Sequence, residues 1–343
     1  MEADRTQLSL TLMRLVRGYQ VSQVIFVATE LGLPDRLSNG AKSGAALAEA
    51  IGAHAPSLYR LLRALAALDI LSESEQDQFA LTPLGRCLCA DEPGSMRPLV
   101  LMHGCQNFWQ TWGELRHCVR SGQTAINHLF GMSNTFDFYA QHPEVESIVS
   151  ASFAAVAESY AADVVEAYDF SGLGTIVDVG GGRGQLLAAI LHAHPAARGV
   201  LFDLPHVAQA ATALLKNAGV EARCSMIQGN MFESMPPGGD AYVLSRVIHD
   251  WDDQQAIAVL ATCRAAMPEQ AKLLLIERVL PVRADPSPAS RDRFLSDINM
   301  LVRTGGRERN VEGYRELMDA AGLHFTRLIP TASEMSIVEG VRA

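Results

Sequence analysis

Residues 175–194 read TIVDVGGGRGQLLAAILHAH. A short run rich in β-branched residues stops at a cluster of glycines. An apolar stretch of helical period follows at once. That is the strand, glycine turn and helix that open a parallel α/β unit. The pattern then repeats. GVLFD (199–203) is a second strand, and a helix follows Pro205 to about Asn217. ARCSMIQ (222–228), AYVLS (241–245) and KLLLIERV (272–279) are further strands, with a helix over residues 253–267 between the last two. Alternation of this kind predicts a Rossmann-like, doubly wound, mainly parallel sheet of the α/β class. PVRADPSPAS (281–290) is a Pro-punctuated loop and VEGYRELMDAAG (311–322) a helix. HFTRLIP and MSIVEGV close the chain as a pair of strands suited to an antiparallel edge.

Upstream of residue 165 the pattern is helical. Leu8, Leu12, Leu15 and Val16 share one helical face. SGAALAEAIG (43–52) and APSLYRLLRALAALDIL (55–71) are two short helices, and a polar turn, SESEQDQ, divides a two-stranded wing after them. This is the order of a winged helix. Its candidate recognition helix offers only Arg60 and Arg63 among leucines, which favours a packing and dimerisation module over DNA reading. Residues 96–165 carry an aromatic-rich set that includes Trp109, Trp112, Phe136, Phe153 and Tyr160. The expected division is a dimerisation domain over 1–100, a helical linker and substrate-lining segment over 101–165, and a catalytic domain over 166–343.

Composition narrows the classes of partner. The chain has 343 residues, 48% hydrophobic and 19% charged, with a net charge of −10. An acidic balance opposes the phosphate attraction on which nucleic-acid binding relies. No stretch reads as an uninterrupted membrane span, and the N-terminus lacks the apolar core of a secretory signal, so neither a membrane nor export is expected. The six cysteines show no C-x2-C pair, which fits reduced thiols in a cytoplasmic protein.

The glycines carry the first chemical signal. Gly180, Gly182 and Gly184 form G-x-G-x-G, one residue tighter than the G-x-G-x-x-G that holds a pyrophosphate. A loop with no pyrophosphate to hold suits the amino-acid part of S-adenosylmethionine. Asp203 ends the second strand, where a carboxylate can accept from both ribose hydroxyls. Asn230 and Met231 follow the third strand, where an amide can meet adenine and a thioether can pack on its ring.

The fourth strand runs into SRVIHDWDD (245–253), placing His249 at the carboxyl edge of the sheet, where ligands of open α/β sheets bind. Glu277 ends the fifth strand and Glu308 follows Gly305-Gly306. A carboxylate bonded to the histidine Nδ1 fixes the tautomer and leaves Nε2 to take a proton. Such a base can deprotonate a phenol or enol as its oxygen attacks a methyl sulfonium, with no metal required.

VDVGGGRG, FDLPHV, GNMFE, SRVIHDWDD, LLLIERVLP and GGRERN, in this order, resemble the motifs of the S-adenosylmethionine-dependent O-methyltransferases of the caffeic acid and acetylserotonin type, and of their bacterial natural-product branch. The resemblance spans nearly the whole chain. It implies that His249 is the general base, oriented by Glu277 and Glu308. It implies cofactor contacts from Gly180, Gly182, Asp203, Asn230, Met231, Ser245 and Arg246, with S-adenosylhomocysteine as the product. It further implies that Asp297, Asn299 and Met300, with Trp109 and Phe153 opposite, line a pocket for a small aromatic or enolic acceptor. The N-terminal helices are implied to interlock in a homodimer. Plant members carry Asp at Asn230 and Lys at Ser245, and their segment between Met300 and Gly305 is one residue longer, which disfavours a monolignol acceptor. The alternatives are a relative that binds the cofactor but catalyses hydroxylation or a pericyclic step, a winged-helix regulator, and a nicotinamide dehydrogenase. The intact His249, Glu277 and Glu308 set favours methyl transfer over the first.

Overall fold

The computed structural model describes residues 2–343, with side chains for all of them except residues 2–4, 206 and 208–210. The chain forms two compact units, residues 1–110 and 111–343. The segment 101–165 is therefore shared, with 101–110 in the first unit and 111–165 in the second.

In the first unit, Ser43 Oγ accepts from the Ala46 N–H at 3.2 Å and starts the helix Gly44–Ile51. The helix Ala55–Ala67 follows, then a hairpin of β2 (Leu71–Glu73) and β3 (Gln78–Leu81), with β1 (Lys42–Ser43) on the other side of β3. Leu47, Leu58, Leu62, Leu65 and Phe79 form the core between them. The helix Glu2–Val16 leaves its apolar face outside that core: Leu8, Leu12 and Leu15 are each 63% exposed.

The second unit is built on a seven-stranded sheet. Its strands are β4 (Thr175–Val179), β5 (Arg198–Asp203), β6 (Cys224–Gln228), β7 (Ala241–Ser245), β8 (Lys272–Glu277), β9 (Leu323–Pro330) and β10 (Ser336–Arg342), in the order β6-β5-β4-β7-β8-β10-β9. The first five in that order run parallel, and β10 is antiparallel to both β8 and β9. β4, β7 and β8 are buried almost throughout, which is why they read as largely apolar runs. The chain leaves β4 towards β5 and β6, then crosses back to β7 and β8. The carboxyl ends of β4 and β7 thus flank the switch point at which such sheets open a crevice.

Two helices stand out. The helix Pro143–Ala167 is long and apolar enough to cross a bilayer by length and composition, although its longest uncharged run is only residues 147–157. Val149, Ser152, Val156, Tyr160, Ala161 and Val164 on it are buried, and it packs along the helix Gln185–Ala193. The Pro-rich loop also gives way to a helix, Pro288–Arg303, that the pattern reading passed over. Ser287 Oγ accepts from the Ser290 N–H at 3.2 Å and Pro288 occupies the first turn, a start signal present in the sequence.

The return of the chain at 305–309 sets the geometry of the next section. Gly306 lies so close to the 248–251 turn that a Cβ on it would sit 2.1 Å from the His249 carbonyl oxygen and 2.5 Å from the Trp251 nitrogen. Arg309, buried, donates to the carbonyls of Ile248 (3.2 Å) and Trp251 (2.8 Å) and to Asp253 Oδ1 (2.8 Å). Backbone cannot yield as a flexible side chain would. Gly306→Ala is therefore expected to destabilise the protein by about 1–3 kcal/mol, read as a lower urea midpoint at unchanged m-value.

Candidate active site

The glycine loop is held open by its own backbone and by one carboxylate. Gly180, Gly182 and Gly184 have φ of 67°, 59° and 83°, the left-handed region that glycine adopts without strain. Asp203 Oδ2 accepts from the Gly182 N–H at 2.8 Å, and Oδ1 from the Leu204 N–H at 2.7 Å. The residue expected at a ribose is thus also the latch of the loop. A Cβ on Gly182 would meet open space, so the loop presents bare backbone to the cavity beside it.

That cavity, of about 400 Å³, is lined by Gly180, Gly182, Asp203, Asn230, Met231, Ser245, Arg246 and His249, with Phe153 on the helix Pro143–Ala167. Phe136, Phe232 and Trp251 form its aromatic wall. Trp251 stacks on Phe136 at 5.5 Å and meets Phe232 edge-on at 4.7 Å. Asn230 reaches the cavity with both ends of its amide engaged: Oδ1 accepts from the Phe232 N–H and Nδ2 donates to Glu233 Oε1, each at 3.0 Å. Ser245 shares a 2.7 Å hydrogen bond with Tyr160. Arg246 holds φ at 54°, unusual for a side-chain-bearing residue, and its buried Nε has no hydrogen-bond partner among the described residues.

Asp178 was missed by the sequence reading. It is 2% exposed, it lines the cavity, and neither carboxylate oxygen has a hydrogen-bond partner among the described residues. Burial, with the nearby charge of Asp203, pushes its pKa up to about 7. The clue was present: a lone acidic residue in an otherwise uncharged, largely buried strand, two positions before the first glycine. A buried carboxylate without donors beside a bare glycine loop is a place for a cationic group. Together with the carboxylate at the end of β5 and the aromatic wall, this donor set fits the zwitterionic, purine-bearing S-adenosylmethionine.

The reactive centre lies at the other rim. His249 sits in a 3₁₀ turn, Ile248–Asp250, directly after β7. Its Nδ1 is 3.2 Å from Glu277 Oε2 and 3.4 Å from Glu308 Oε1, at ion-pair distance from both. Exposure is 3% for His249, 0% for Glu277 and 3% for Glu308. The other oxygen of Glu277 accepts from the N–H groups of Val247, Ile248 and His249, at 3.2, 2.9 and 3.4 Å, so one carboxylate grips the turn and faces its imidazole. Glu308 Oε1 accepts from Ser296 Oγ at 2.8 Å. Burial alone would lower the His249 pKa, but Glu277, Glu308 and Asp250 outweigh it and raise it to about 10. Burial would raise Glu308, and the facing imidazolium instead holds it down at about 2. The same three ligand atoms lie within 4.8 Å of one another, close enough to hold a metal ion; an imidazolium proton supplies the positive charge equally well. On the Nε2 side, Asp250 Oδ1 is 3.8 Å away, and burial pushes its pKa up to about 6.

Four residues expected at the acceptor are not among those lining this cavity. Asp297 accepts from the Glu308 N–H at 2.9 Å, Asn299 Oδ1 accepts from Trp112 Nε1 at 3.1 Å, and Met300 is 5% exposed in the core. None of these three lines the cavity among the described residues, because the helix Pro288–Arg303 turns them into packing and backbone-holding roles. Trp109 belongs to the first unit, where its ring lies 6.1 Å from that of Tyr19.

Comparison with known proteins converges on the same chemistry. An O-methyltransferase domain matches residues 112–324, and an O-methyltransferase dimerisation domain matches residues 13–91. The chain is 42% identical to the phenazine O-methyltransferase PhzM of Lysobacter antibioticus over 98% of its own length and 97% of that protein's. It is similar to the solved structure of the mitomycin 7-O-methyltransferase MmcR, with a TM-score of 0.93 and 34% identity over all of both chains. It is also similar to the O-methyltransferase NcsB1, solved with S-adenosylmethionine and a hydroxynaphthoic acid, with a TM-score of 0.81 and 32% identity over 94% of this chain and 96% of that one. The chain belongs to the O-methyltransferase family, and it is an S-adenosylmethionine-dependent enzyme of that family.

Proposed function

We propose that this enzyme methylates a hydroxyl group on a small aromatic acceptor of the bacterial natural-product kind, with His249 as the general base. The observation that carries the reading is the buried imidazole whose Nδ1 faces two carboxylates while the ring lines the cavity. With a proton fixed on Nδ1, Nε2 is the nitrogen left to take the acceptor's proton as its oxygen attacks the methyl group. The relatives named above act on phenazine and mitomycin skeletons, and the stacked Phe136 and Trp251 suit a planar ring system.

The cofactor supplies an electrophilic methyl sulfonium when bound. The chain's part is to hold it. In this reading Asp203 accepts from the ribose, Asn230 and Met231 adjoin the adenine, and Gly180 and Gly182 let the tail approach the backbone. Asp178 receives the ammonium, while Ser245 and Arg246 face the carboxylate. Phe153 borders the acceptor.

The first unit is read as a winged helix used for pairing into a homodimer, which gives a second copy as the cover for Leu8, Leu12 and Leu15. The net charge of −10 opposes a nucleic-acid partner. A cytoplasmic setting completes the reading, supported by six free thiols.

His249→Ala tests the central assignment. Calorimetry is expected to find cofactor binding nearly intact, while turnover of a phenolic acceptor falls by about 10²–10⁴. Full turnover in the variant would end the general-base role.

The raised pKa of His249 gives a second test. The base must be neutral, so kcat/KM rises with pH up to the imidazole pKa. Glu308→Gln removes one of the anions that hold the proton, and the acid limb of the profile is expected to move to lower pH by about 1–3 units. An unmoved limb would separate Glu308 from the base.

Asp178 has the opposite sign. Its folded pKa lies above that of an unfolded chain, so the penalty is absent at pH below about 4, grows as the pH rises, and is complete above pH 7. Cofactor-free Asp178→Asn is expected to melt about 2–4 °C higher than the parent at pH 8, with the difference gone at pH 4. The same variant binds the cofactor less tightly.

A further inference from the structure

The helix Pro143–Ala167 brings Tyr160 to the end of β7, where its phenol is 2.7 Å from Ser245 Oγ. Tyr160 is 4% exposed, yet it lines the cavity together with Ser245. Burial pushes the phenol pKa up, while the charges of Arg246 and Asp178 also bear on it. The phenol therefore keeps its proton. A phenol is a better donor than an alcohol, so the pair runs from Tyr160 O–H to Ser245 Oγ and leaves the Ser245 proton to point onward.

The strand order locates what that proton would meet. Asp203 ends β5 and Ser245 ends β7, with β4 and its glycine loop between them. Neighbouring strands lie about 4.8 Å apart, so the two residues stand roughly 10 Å apart along the carboxyl edge. A nucleoside anchored at Asp203 extends its amino-acid tail across the glycine loop towards Ser245. There Asp178 lacks a donor, and Arg246 Nε lacks an acceptor, among the described residues. A zwitterion needs both.

We propose that Tyr160 is a positioning residue for the cofactor: it orients the Ser245 hydroxyl to donate to the carboxylate of the cofactor's amino-acid tail. The assignment rests on the cofactor reading given above. It extends recognition to a residue on a helix outside the nucleotide loop, and it makes that helix part of the cofactor site as well as of the acceptor wall.

Calorimetric titration with two ligands tests it. S-adenosylhomocysteine carries the amino-acid tail, and 5′-methylthioadenosine lacks it. Ser245→Ala is expected to weaken S-adenosylhomocysteine about tenfold, and Tyr160→Phe several-fold. The double variant is expected to be no weaker than Ser245→Ala, since Tyr160 acts through Ser245. Affinity for 5′-methylthioadenosine stays within about twofold throughout, which also shows that the variants remain folded. Equal losses for both ligands would overturn the proposal, as would additive losses in the double variant. Failure of the unaltered enzyme to bind S-adenosylhomocysteine would instead refute the cofactor reading, and this assignment with it.

Discussion

A histidine and two glutamates buried beyond the reach of solvent are the constraint that organises the second unit. Desolvating such charges costs several kcal/mol each unless the geometry returns the energy through close pairing and further hydrogen bonds. Here the imidazole faces Glu277 and Glu308, and one oxygen of each carboxylate also accepts hydrogen bonds, that of Glu277 from backbone N–H groups and that of Glu308 from Ser296. Arg309 then ties the same turn to Asp253 from behind. Each contact comes from a different element: the end of β7, the end of β8, and the return at 306–309. The knot can form only after the sheet has assembled, and removal of one partner would leave an uncompensated charge in the interior.

The cofactor end follows a different economy. The glycine loop contributes little of its own energy, and its shape comes from positive-φ glycines and from the Asp203 latch on Gly182. Both rims are nevertheless products of one topological fact. The chain winds from β4 towards β6 and then reverses to β7 and β8, so the loop at 180–184 and the turn at 248–250 open onto the same crevice. A nucleotide-like ligand and a proton-accepting ring are placed side by side by strand order alone.

This explains what could be read from the sequence. Gly180, Asp203 and His249 sit where a strand ends, and strand ends are visible as breaks in apolar runs. The whole sheet, including its antiparallel edge, was legible for the same reason. Asp178 was not, because a buried acid inside a strand looks like a break in pattern until its missing partners are seen. Tyr160 was one aromatic among many. The helix Pro143–Ala167 hides its role because it serves the core and the cavity at once, which gives it the apolar length of a membrane span. Asp297, Asn299 and Met300, which do not line that cavity among the described residues, were hard to place for a further reason. Their helix, Pro288–Arg303, was hidden behind a Pro-rich loop, and without it no facing direction could be assigned to any of the three.

The open polar groups around the cavity are the counterpart of the ion-paired ones in the knot. Among the described residues, Asp178 has no donor, Arg246 Nε has no acceptor and its backbone is strained, and the Trp251 indole N–H has no partner, and all three residues border one space. A structure optimised for stability alone would have replaced them, since each costs free energy in the empty enzyme. Where they meet at one cavity, a polar ligand can complete them. That also sets the direction of the trade. The catalytic knot pairs its charges within the protein, while the binding rim leaves polar groups open, so that the cofactor supplies the missing stability when it arrives.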